Sequence, residues 1–167
     1  MTETEKDLWE SLLDAEMNVE YWGHVARRYA NFDLWFKIFV AITSSTSVAS
    51  LQVFQKTSGS SGWHFLWDVC AGVAVVAAVA LPFLAFDATA RSAATQRTAW
   101  FDIKNAYNDL WLRRDKLKPD SVTKKLAEIK LQESESSKPE ATLPRIEKLL
   151  LLSQNQVCSA RGLPSVG

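Results

Sequence analysis

Two uninterrupted stretches without Asp, Glu, Lys or Arg, residues 38–55 and 69–86, constrain what this chain can fold into. Each is 18 residues long, and the rest of the 167-residue chain holds all 19 basic and 19 acidic side chains. A globular domain spreads its charges over a mixed surface. Segregation this complete points instead to apolar helices set in a charged protein. Extending each stretch to its flanking apolar residues gives candidate spans 34–54 and 66–86, each of 21 residues. At a helical rise of about 1.5 Å such a span is about 31 Å long, the thickness of a bilayer's hydrocarbon core. Residues 55–63 between them form a Gly/Ser turn. The expected fold is therefore an all-α membrane protein, a two-span transmembrane helical hairpin with long N- and C-terminal helices extending into the cytoplasm. A pair of buried helices in a water-soluble bundle is the alternative. Against it stand Trp35, Trp63 and Trp67, placed where interfacial anchors belong.

Basic residues set the orientation. Arg27, Arg28, Arg91, Arg97 and Lys104 flank the spans on the terminal side, and Lys56 alone stands on the loop side. The bias places both termini in the cytoplasm and the protein in the cell inner membrane as a multi-pass chain. The first 33 residues hold three bases and eight acids, unlike the basic start of a secretory signal. Equal numbers of basic and acidic residues argue against nucleic acid as a partner. Seven Trp and eight Phe exclude a disordered chain. Two cysteines, Cys70 and Cys158, cannot form a disulfide framework.

Helices are expected on both sides of the hairpin. Leu8, Leu12, Ala15, Val19, Trp22, Ala26 and Tyr29 alternate in spacings of four and three, a heptad seam. On the returning segment Ala99, Ile103, Ala106, Leu110 and Leu117 mark an apolar face, with Trp100, Tyr107 and Trp111 beside it. Residues 1–33 have a net charge of -5 and residues 87–118 of +3, which favours antiparallel pairing. The seam itself would be the main driver, and a natural device for assembly between chains. Residues 1–118 thus form the hairpin with its stem helices, and 119–167 a region of short helices, linker and tail. In that region Asp120 or Ser121 can cap a helix through Leu131, 133–139 reads as a linker, and Thr142 can cap a helix with Pro144 in its first turn. The tail after Gln154 is expected to be loose.

The sequence contains no catalytic constellation, metal-ligand set or nucleotide loop, so no enzyme activity and no cofactor is expected. Its informative feature is the polarity of the first span. Thr43, Thr46, Ser47 and Ser50 fall on one helical stripe, extended at its ends by Phe36, Phe39 and Phe54. A hydroxyl stripe bounded by Phe would line a water-filled pore with hydrophobic constrictions. It would equally serve close helix packing. Lys37 and Asp68 are candidate charged mouths, of opposite selectivity. Pro82 is a candidate hinge, or an ordinary membrane proline. Two spans cannot enclose a pore, so a channel would be a homo-oligomer of about four or more copies in the lipid bilayer.

The order of features, with Tyr21-Trp22-Gly23-His24-Val25-Ala26-Arg27-Arg28-Tyr29 before the first span and Thr98-Ala99-Trp100 through Leu110-Trp111 after the second, resembles the SLATT domain family over about residues 5–117. That resemblance implies a two-span, pore-forming effector of bacterial conflict and nucleotide-signalling systems, which permeabilises the inner membrane in antiviral defence. Residues 119–167 are too short for a fused nucleotide sensor. The expected function is an oligomeric membrane pore or ion channel. The alternative is a non-conducting membrane anchor or scaffold whose cytoplasmic helices recruit a partner.

Overall fold

The computed structural model describes residues 2–53, 72–73, 76, 85–138 and 145–164, with the side chains of 43–53 left aside. The described residues form four α-helices and one 3-10 turn, with no strand among them: α1 (Glu3–Val53), α2 (Phe86–Arg113), the 3-10 turn Arg114–Lys116, α3 (Pro119–Ser137) and α4 (Glu147–Ala160). The all-α class expected from the sequence is what the described residues adopt. It divides into two compact units, one of Met1–Arg28 with Thr89–Gly167 and one of Tyr29–Ala88. The expected boundary at 118/119 falls inside the first unit.

In the first unit, α1 starts at a reciprocal cap. The Glu5 backbone N–H donates to the Thr2 hydroxyl (3.3 Å), and the Thr2 N–H donates to Glu5 Oε2 (2.7 Å). This T-x-x-E box satisfies two donors that the first turn would otherwise leave open. From there Leu8, Leu12, Ala15, Val19 and Trp22 are buried as the heptad spacing predicts. The seam then departs from expectation. Val25 is fully buried while Ala26 is only half-buried, and Tyr21 joins the core. The buried face widens here because α4 lies against this part of α1: the Ile146 N–H donates to the Tyr21 hydroxyl at 2.9 Å.

On α2 the buried positions are Ala93, Gln96, Trp100, Ile103, Tyr107 and Leu110. Their spacing alternates three and four, a heptad seam that keeps Ile103 and Leu110 of the expected face and replaces Ala99 and Ala106 by their neighbours Trp100 and Tyr107. Trp100 and Tyr107 form the seam, and Ala99 and Ala106 flank it half-buried. The large rings remove far more apolar area from water than a methyl group does, and that sets the rotation of the helix.

Three contacts fix the pairing of α1 and α2. Trp9 lies against Trp111, Glu5 reaches Arg114, and Arg97 lies over Gly23. Each step forward along α1 is matched by one step back along α2, so the helices are antiparallel. Lys118 is extended (φ -68°, ψ 144°), as a residue before proline must be, and Pro119 opens α3 in its first turn. The N-cap is thus Lys118 and not Asp120 or Ser121. Val122, Leu126 and Ile129 bury the inner face of α3. The helix continues through the expected linker to Ser137, tethered at Glu133 by the Tyr107 hydroxyl (2.6 Å).

α4 begins at Glu147; Thr142 and Pro144 lie outside the described residues. Ser153 and Val157 are buried, so the expected loose tail is helical and docked. Its end is closed by a Schellman motif: Leu163 N–H donates to the Cys158 carbonyl (2.8 Å) and Gly162 N–H to that of Ser159 (3.2 Å), with Gly162 at φ +66°. His24–Gln156 and Glu16–Arg161 contacts run α4 antiparallel to α1. The unit is therefore an up-down-up-down arrangement of four helices.

Two expectations are corrected by this packing. Leu8, Leu12 and Ala15 have no exposed surface within a single chain, so the heptad seam is filled by the chain's own helices and is not free to join copies. Acids of the first helix also reach beyond the second. Asp7 binds Lys130 of α3 at 2.6 Å and Glu16 binds Arg161 at 2.9 Å, while Glu5–Arg114 spans 4.0 Å. Side chains reach whichever cation stands nearest in the folded bundle, and such exposed pairs contribute little.

Candidate functional site

In the Tyr29–Ala88 unit, α1 changes character. Phe32, Leu34, Trp35, Ile38, Phe39 and Ile42 are all exposed, Trp35 to 69%. At about 100° per residue they cover an arc of about 160°, wider than the apolar stripe a helix turns to a core. Here that arc faces outward. Val73 and Val76, within the second candidate span, are exposed as well. At the edge of that arc marked by Phe32, the Phe86 ring meets Tyr29 and Phe32 at 6.2 Å and Phe36 at 6.4 Å. These separations are within the range of favourable ring pairs.

The sequence-predicted site residues are placed as follows. Phe36 is half-buried against Phe86, whereas Phe39 is exposed. Lys37 Nζ lies 2.5 Å from Asp33 Oδ2, one turn earlier on the same helix, with the Asp33 side chain only 17% exposed. The pair carries no net charge, so a ring of Lys37 would present much less positive potential than the isolated residue suggests. Thr43, Thr46, Ser47 and Ser50 lie on α1, with side chains outside the described set. Phe54, Asp68 and Pro82 lie outside the described residues. Among the described residues other than glycine, positive φ occurs at Ala85, with φ 44°, immediately before α2.

Among the described residues no helix is long and apolar enough to cross a membrane. Of the candidate span 66–86, that set includes only 72–73, 76 and 85–86. Nor is there, among them, a group of three or more His, Cys, Asp or Glu side chains that could hold a metal ion.

Among the described residues the buried polar side chains of the first unit are Gln96 and Ser153, beside the hydroxyl of Tyr107. Tyr107 is fully buried and donates to Glu133, and burial first, then that carboxylate, pushes its hydroxyl well above the ordinary phenol range. Asp14 is raised by desolvation, then by Glu133 and Glu10. Gln96 is 4% exposed, and its Oε1 has no hydrogen-bond partner. The Thr2–Glu5 box and the Gly162–Pro164 stop were both legible as short signals, S/T-x-x-E and Gly then Pro. The Tyr107–Glu133 bond carries no such signal, because it joins residues from different helices.

Comparison with protein-family models, curated proteins and solved structures gives no match to this chain.

Proposed function

We propose that this chain is a two-span protein of the inner membrane that assembles in about four or more copies into a pore or ion channel. Both termini then lie in the cytoplasm, with the four-helix unit. The observation that carries the membrane reading is the outward apolar arc of Phe32, Leu34, Trp35, Ile38, Phe39 and Ile42. A contiguous face of large apolar side chains in water is rare in soluble monomers and marks a buried or lipid-facing surface. The charge-free stretches 38–55 and 69–86 extend that face in sequence. The pore reading draws on the hydroxyl residues Thr43, Thr46, Ser47 and Ser50 and on the resemblance to the SLATT family, whose members act as membrane-permeabilising effectors. Because the heptad seam is filled internally, assembly would use the spans and not that seam.

The second reading, an anchor or scaffold, is favoured by one observation. The four-helix unit closes its own core without a partner, as a recruiting module would. Ion flux from liposomes holding the purified full chain separates the two. A pore releases ions, and Thr43→Leu with Ser47→Leu suppresses release. Absence of flux from correctly inserted protein would leave the anchor. Extraction of the protein by alkaline carbonate would remove the membrane reading altogether.

A further inference from the structure

We infer that the outward face of α2 is a surface through which copies of this chain join, as parallel helices in fixed register. The inference rests on the membrane assembly proposed above and names a contact that its copies make. Opposite the buried seam, Ala94, Thr98, Phe101, Asn105, Asn108 and Leu112 recur at alternating spacings of four and three, and none carries a charge. Asn108 is half-buried and the others are exposed, Leu112 to 67% and Phe101 to 46%. A helix needs one such stripe to face its own core. A second stripe turned to the outside is the pattern of a helix that also meets a partner. The Thr98 hydroxyl donates to the Ala94 carbonyl at 3.1 Å, so its polar atom is satisfied within the helix. Continued, the repeat reaches Arg91 and Asp115, whose charges bound the stripe at either end.

The flanks of the stripe identify the partner as a second copy. One flank carries Arg97 and Lys104, the other Asp102 and Asp109. When two such helices lie parallel and in register, the first flank of each meets the second flank of the other. Arg97 then falls opposite Asp102, and Lys104 opposite Asp109. Antiparallel helices would set Arg97 and Lys104 against the same bases of the other copy. Parallel alignment is also open to copies of common topology related by an axis normal to the bilayer. On the acidic side, Asp102 shares a groove of about 400 Å³ with Glu135 of α3, and no base is among its described lining residues. A cation supplied by the neighbouring copy would compensate those two carboxylates. Within one chain Lys104 rests over the Phe101 ring at 4.9 Å, Arg97 lies over Gly23, and Asp109 binds Arg113 at 2.9 Å. These contacts lie at the surface, so rearranging them costs little. Asn105 and Asn108 stand at seam positions, where an Asn facing its counterpart fixes register at some cost in stability.

The test is oxidative cross-linking of single cysteines in the full chain in liposomes, with Cys70 and Cys158 replaced by Ser. Asn105→Cys should link copies, like to like, well above Leu131→Cys, a 66% exposed position on α3 that reports random collision. Reversal of one flank, Arg97→Glu with Lys104→Glu, should reduce the Asn105→Cys link to that background. Asp102→Lys with Asp109→Lys should do the same. Mixing the two reversed chains should restore the link, a recovery that misfolding of either chain cannot mimic. Asn105→Cys at collision background, or a link unchanged by either reversal, overturns the contact. Failure of the mixed chains to relink overturns the charge pairing. A link between Ala94→Cys of one copy and Leu112→Cys of another overturns the parallel register. Extraction of the wild type by alkaline carbonate removes the membrane reading, a result distinct from insertion without the link.

Discussion

The rings of Trp9 and Trp111 lie 5.0 Å apart, tilted by 43°, and each carries a guanidinium on its own side. Arg161 stands 5.4 Å from the Trp9 ring and Arg114 4.1 Å from the Trp111 ring. One stack thus ties α1, α2 and the end of α4 together. Arg114 also donates to the Trp111 carbonyl at 2.8 Å, so it closes the end of its own helix while it covers the ring.

This stack should be energetically coupled. In a double-mutant cycle with Trp9→Leu and Trp111→Leu, read by urea unfolding, the interaction energy is expected at about 0.5–1.5 kcal/mol. Arg161→Ala should also loosen the end of α4, which amide hydrogen exchange at Val157 and Cys158 would report. Strict additivity of the two tryptophan variants would show that the rings are neighbours without coupling.

Gln96 occupies a seam position with an unpaired oxygen in the core. A buried acceptor without a donor loses its hydration and gains nothing in return. Gln96→Leu, similar in size and apolar, should therefore raise stability by about 1–2 kcal/mol, seen as a higher urea midpoint at unchanged slope. A lower midpoint would mean that the amide makes a contact worth more than its desolvation.

Tyr107 and Asp14 both hold their protons more tightly in the folded chain, first through desolvation and then through a shared carboxylate, Glu133, so both lose stability as pH rises, in different ranges. The folded chain holds the Tyr107 proton more tightly than the unfolded chain, whose phenol titrates near pH 10. Its contribution is thus complete below about pH 10 and is lost as pH rises above it. Tyr107→Phe should cost about 1–2 kcal/mol at neutral pH and remove this part of the alkaline loss. Asp14 also keeps its proton longer in the folded chain, so stability falls as pH rises through the acid range from about 4. Asp14→Asn should be slightly stabilising at neutral pH, by less than about 1 kcal/mol because the side chain is exposed. Urea midpoints measured across both ranges check the signs.

Ala85 and Gly162 both adopt positive φ, at 44° and 66°, and their substitutions should have opposite signs. An L side chain in that region costs roughly 1–2 kcal/mol. Ala85→Gly should recover part of that cost, and Gly162→Ala should incur it, loosening the Schellman closure of α4. Thermal unfolding of each variant gives the comparison.

Short-range pattern in the sequence was enough for much of this. Alternating spacings of four and three foretold the burial of Leu8, Leu12, Ala15, Val19 and Trp22, because a helix repeats its faces over a few residues whatever surrounds it. Lys118-Pro119 foretold the break after α2, because a proline constrains its own neighbour. What the sequence did not determine was which surface meets which. The rotation of α2 onto Trp100 and Tyr107, the shift from Ala26 to Val25, and the docking of Ser153 and Val157 depend on helices far apart in the chain. So does the filling of the heptad seam by the chain's own helices, which spacing alone cannot tell from a seam that joins two copies. Local periodicity fixes the face a helix offers. Only the folded bundle decides what covers it, since burial is a property of the neighbours as much as of the residue.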